Sequence, residues 1–185
     1  MITSRTSSLL VLLGASAIAL TACDNSVGGT AAPGQTASAA PSAPPPSSAN
    51  PFSARNQCAL LDQLLAGQGY PKAIPSVADS KRSCAAQKPG DGLDATVVGL
   101  TLQDGQRYTD NVANPSKTRT GKVNGTRPVL EEREPLGSSG QCMLKLAVEP
   151  NSRAIIDVTS GTDTDAACKT AEGLADKLDP LLPKS

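Results

Sequence analysis

The chain contains no histidine and no tryptophan, one phenylalanine and two tyrosines. Without histidine, the usual base for a serine or cysteine nucleophile is missing. So few aromatics leave the core to Leu, Val, Ile and Ala. Net charge is missing as well, since 17 Lys and Arg balance 17 Asp and Glu. That balance gives no nucleic-acid footprint. The leading apolar run, Leu9 to Leu20, falls short of the ~20 residues that cross a membrane. No phosphate loop, dinucleotide fingerprint or metal motif is present. No cofactor is expected.

What is there begins with Leu20-Thr21-Ala22-Cys23, which closes that run and resembles a bacterial lipobox. The resemblance implies a signal peptide over 1–22 and a Cys23 thiol alkylated by diacylglycerol, with Cys23 as the mature N-terminus. Each buried methylene contributes about 0.8 kcal/mol, and one acyl chain alone gives only marginal binding. Two chains hold a protein on a membrane. From 23 to 53 the chain is mostly Gly, Ala, Pro, Ser and Thr, with Pro44-Pro45-Pro46 inside and no charge between Asp24 and Arg55. Such a segment cannot offset its ordering entropy and reads as a disordered tether. As a coil, its thirty-odd residues would reach roughly 30 Å. The expected location is the extracytoplasmic face of a cell membrane, with residues 54–185 as one folded domain.

Four cysteines remain, Cys58, Cys84, Cys142 and Cys168. An even number in an exported domain reads as two disulfides. Zinc is the competing reading, and it lacks both the short ligand spacing and histidine. Sequential pairing, Cys58–Cys84 with Cys142–Cys168, is favoured because each bridge would then staple a helix to a strand. Cys58–Cys142 with Cys84–Cys168 ranks second, and Cys58–Cys168 with Cys84–Cys142 third. Each sequential loop would stabilise by about 3.5 kcal/mol in the chain-entropy model.

Leu60, Leu61, Leu64 and Leu65 recur at helical spacing behind an Asn56 cap. Residues 70–80, with Pro71 and Pro75, read as irregular. Strands are expected over 80–87 and 94–103, with a turn at Pro89-Gly90-Asp91-Gly92, and a short helix over 106–114. Asn124-Gly125 signals a hairpin within 118–133, and Pro128 suggests that its second arm is a sheet edge or a bulge. Residues 141–149 and 153–160 alternate, presenting Cys142, Leu144, Leu146 and Val148, then Ala154, Ile156 and Val158, to one side. Asp163 or Thr164 caps a closing helix through Leu178, and Pro183 ends it. The expected fold is α+β: an antiparallel twisted sheet of four to six strands with N- and C-terminal helices on one face.

Several of these stretches resemble an actinobacterial lipoprotein family of unknown function. They are Cys58-Ala59-Leu60-Leu61, Gly125-Thr126-Arg127-Pro128, Cys142-Met143-Leu144-Lys145-Leu146 and Cys168-Lys169-Thr170-Ala171. Members commonly carry tryptophan where Ala86 stands. The resemblance implies a secreted, lipidated four-cysteine domain and no particular activity.

One surface feature is uneven. Lys117, Arg119, Lys122 and Arg127 fall in a stretch with no acid between Asp110 and Glu131. They read first as charges guarding a hairpin edge and second as a contact for an anionic partner. Glu131-Glu132 reads as a solvated edge strand, and Asp163 and Asp165 as helix capping. The functional expectation is a non-catalytic binding or accessory domain of the cell envelope. Its partner would be an envelope protein, polymer or small molecule, and not a nucleic acid. An envelope enzyme would need a cleft joining Glu131 or Glu132 to another acid. A lipid carrier would need an apolar cavity.

Overall fold

The computed structural model describes residues 50–90 and 95–184. The expected signal peptide, Cys23, most of the expected tether and residues 91–94 lie outside the described residues. Helix α1 (Gln57–Leu65) starts where the Asn56 side chain accepts the Ala59 N–H at 2.9 Å. Its four leucines are buried. The strands are β1 (Ile74–Pro75), β2 (Ser83–Lys88), β3 (Thr96–Asp104), β4 (Thr118–Val123), β5 (Arg127–Arg133), β6 (Gln141–Glu149) and β7 (Ser152–Ser160). They form one antiparallel sheet in the order β1-β2-β3-β7-β6-β5-β4. Helix α2 (Thr164–Leu178) closes the chain with Asp163 as its cap, followed by a 3-10 turn at Asp179–Leu181.

Register explains the layering. Cys84, Leu100, Ile156 and Leu144 stand opposite one another across β2, β3, β7 and β6. All point to one face, because side chains alternate along a strand. Both helices cover that face, and their leucines join this row in one core. The disulfides pair Cys58 with Cys84 and Cys142 with Cys168, at Cα separations of 5.1 and 5.0 Å. Each joins a helix to the strand beneath it.

Four expectations change. Seven strands replace four to six, because Ile74–Pro75 adds a two-residue edge to β2. Residues 106–114 hold no helix, only turns and bends, because their backbone is drawn onto the sheet by buried side chains described below. Strand β5 is interior, between β4 and β6, so β4 is the edge. Pro128 is tolerated because the ladder to β6 begins only at Val129. Phe52, assigned to the tether, is 7% exposed and belongs to the core, so the folded unit starts before residue 54.

The opposite, outer face is only partly covered. Residues 105–117 run across one end of it and are held by three buried charged groups. Lys145, 2% exposed, donates to the Asp110 and Asn111 carbonyls at 3.2 and 2.9 Å. Arg153 donates to the carbonyls of Asp110 and Arg107 at 2.6 and 3.1 Å and to the Gln103 side chain at 2.8 Å. Glu132, fully buried, forms an ion pair with Lys145 and accepts the Ala113 N–H at 2.8 Å. Lone charges within apolar alternation look solvent-facing in sequence; here a loop buries them.

Candidate functional site

Helix α2 lies over β6 and β7 and leaves a cleft between itself and the β4–β5 hairpin. Asn124 and Gly125 both take positive φ, 48° and 72°, which makes the tight mirror-image turn that joins the two strands. The hairpin's helix-side residues, Arg119, Gly121, Val123, Val129 and Glu131, form the floor with Leu144. Glu172, Ala175 and Asp176 of α2 form the wall, and Lys122 stands at the rim. The cleft holds about 290 Å³. Gly121 lacks the side chain that would fill its middle, and a Cβ there would meet Val129 Cγ1 at 3.7 Å, ordinary contact.

Arg119 organises the charges. Its Nε donates to Glu131 Oε2 at 2.9 Å, and its Nη2 lies 2.8 Å from the same oxygen and 3.0 Å from Glu172 Oε1. The Glu131 bonds, and then Glu172, hold the guanidinium above its ordinary pKa. Glu131 is 4% exposed, and its second oxygen is buried with no hydrogen-bond donor among the described residues. Arg133 Nη1, at 3.8 Å, is too far to donate to it. A Glu131 oxygen and the sulfurs of Cys142 and Cys168 lie within 4.8 Å of one another. Those sulfurs are bonded to each other, so the group is a carboxylate against a disulfide.

The four basic residues singled out in the sequence separate here. Lys117 pairs with Glu134, and Arg119 is taken by the two glutamates. Arg127, 6% exposed, is bonded to Asp179 and to the carbonyls of Ala147 and Pro183 at 2.6 and 2.9 Å. Lys122 alone of the four has no acidic partner among the described residues. Glu131 and Glu132 are buried rather than solvated, because β5 is interior. They face opposite sides of the sheet. Glu131 does share the cleft with another acid, Glu172. Both accept from one guanidinium, so an ion-pair bridge occupies the space between them. Glu172 and Asp176 went unnoticed in the sequence, because only the packing of α2 beside the hairpin brings them to this site. Asp165 caps no backbone; it pairs with Arg133.

A second concavity, about 490 Å³, opens where the start of β5 and the end of β6 meet the segment at 107–109. Tyr108, Pro128, Ala147, Val148 and Pro150 line it, and Arg107 and Lys184 stand at its mouth. Compared with protein-family models, curated proteins and solved structures, the chain matches none.

Proposed function

We propose that this chain is a lipid-anchored, extracytoplasmic domain of the cell envelope that binds a small ligand without transforming it. The cleft between α2 and the β4–β5 hairpin carries this reading. Its walls are fixed before any ligand arrives, with Arg119 already clamped by two carboxylates. At about 290 Å³ it lies at the lower end of small-molecule sites, which run from roughly 300 Å³ upward. The rim carries both signs, Lys122 against Asp176, over the apolar Val129, Leu144 and Ala175. That combination suits a small ligand with charges of both signs and some apolar surface. Two disulfides accord with an oxidising compartment. No helix among the described residues is long and apolar enough to cross a membrane, so anchoring would rest on Cys23.

Gly121→Leu tests the cleft. Protein purified natively from envelopes should release a small molecule on denaturing extraction and mass spectrometry. The variant, with the same circular dichroism, should release none. Equal release from both would remove the cleft from consideration. The anchor has its own test: Cys23→Ser should leave the membrane fraction or accumulate as precursor, and unchanged fractionation would refute lipidation.

The mostly apolar concavity beside Tyr108 supports a second reading, a carrier of a lipid chain. Under that reading the extracted molecule is a lipid, and Gly121→Leu does not affect its retention.

A further inference from the structure

On the outer face of the sheet one acid stands apart. Asp157 lies at the middle of β7, paired in register with Gly99 on β3 and Met143 on β6. A Cβ built at Gly99 would fall 2.3 Å from Asp157 Oδ1, so the carboxylate fills the space that glycine leaves open. A glycine inside a strand often marks such a close approach. Around Asp157 on the same face are Val97, Thr101, Ile155, Met143 and Gln141, all half-buried, while both helices pack on the opposite face. Asp157 has no hydrogen bond or ion pair to another side chain among the described residues. The nearest cations on this face, Lys145 and Arg153, are committed to residues 105–117. Nearby, the buried Gln141 Oε1 also lacks a donor among the described residues.

An isolated carboxylate framed by apolar side chains is costly, and such groups are normally paired. Here the missing partner is a donor with positive charge. We propose that this face is a docking surface for a partner protein that presents a lysine or arginine from an apolar surrounding. Charge complementarity selects that occupant. In a second copy of this chain, joined about a two-fold axis through this face, Asp157 would meet Asp157, like against like. An anionic polymer or lipid headgroup would meet the same repulsion. The site is separate from the cleft beside α2, which faces the other side of the sheet.

The test uses the arginine side-chain analogue butylguanidinium as probe, with butyrate as control, in amide NMR titrations of the mature full-length chain. Butylguanidinium should shift amides within Val97–Thr101 and Ile155–Thr159, with millimolar midpoints, and butyrate should not. In Asp157→Asn those shifts should be lost, whereas Asp157→Glu should keep part of them. Asp157→Asn should also raise the melting temperature, since a group kept for a partner is a burden on the unbound fold. Absence of shifts, shifts that persist in Asp157→Asn, or shifts confined to the cleft would overturn the proposal. A melting temperature that falls in both variants would make Asp157 an internal strut and would equally overturn it. So would a wild-type dimer, in sedimentation, that Asp157→Asn leaves intact.

Discussion

Arg127 and Lys122 lie on the two arms of one hairpin, near its turn, and have opposite weight. Lys122 is an exposed charge without an acidic partner among the described residues, and Lys122→Gln should change stability by no more than about 0.5 kcal/mol. Arg127 ties the hairpin to Asp179 and to the chain end beyond α2, and it is buried. Arg127→Met should cost about 3–5 kcal/mol in urea unfolding, because Asp179 and two carbonyls lose their donor. Asp157 and Asp179 give opposite pH signatures. Burial pushes the Asp157 carboxyl above its ordinary 3.8. Its contribution is therefore present at low pH and is lost as pH rises through the raised value. Asp157→Asn should be more stable than wild type at pH 7, with the gap closing as pH falls through the raised value and below 3.8. For Asp179, burial pushes up, but the bonds from Arg127 and Asn124 outweigh it and hold the carboxyl below 3.8. Its contribution is present above 3.8 and fades as acidification passes the lowered value. Acid unfolding of Arg127→Met should accordingly lack part of the wild-type slope.

Residues 105–117 show how one element depends on another. They have no regular hydrogen bonding of their own beyond the 3-10 turn Pro115–Lys117, and their carbonyls are satisfied by Lys145 and Arg153. Lys145→Met should cost about 3–5 kcal/mol, since it leaves Glu132 charged and buried. Adding Glu132→Gln should recover part of that, because Gln still accepts the Ala113 N–H without a charge. Limited proteolysis within 105–117 should rise in the single variant and fall back in the double. This segment is also where sequence reading fails. Tyr108 and Val112 resemble the rudiments of a helix, but the energy that shapes 105–117 comes from side chains 19 to 46 residues away from the backbone groups they bind. Where the signal is local, the reading succeeds: the Asn56 and Asp163 caps, the Asn124-Gly125 turn and the alternation of β6 and β7 all stand. Pro128 misled because its effect depends on where a neighbouring ladder begins. The cleft was half legible: its basic residues drew notice as a cluster, whereas Glu172, 53 residues beyond Arg119, reaches it only through the packing of α2.

For the whole molecule, the two bridges divide the labour unequally. Cys142, Cys168 and Cys84 are buried, whereas Cys58 is half-exposed near the start of α1. Mild reduction followed by alkylation should label Cys58 and Cys84 before Cys142 and Cys168, and the first step should lower stability by about 3.5 kcal/mol. Equal labelling of all four would mean that the domain opens as a unit. The position of Cys58 also has a mechanical side. If the chain is held at Cys23, any tug reaches the domain at Phe52 and peels it from that end. Only six residues separate Phe52 from Cys58, where the covalent link to β2 halts the peeling and passes the load into the sheet. Behind that stop the 26-residue span to Cys84 cannot pay out, which withholds roughly 90 Å of contour that the reduced chain would release under force.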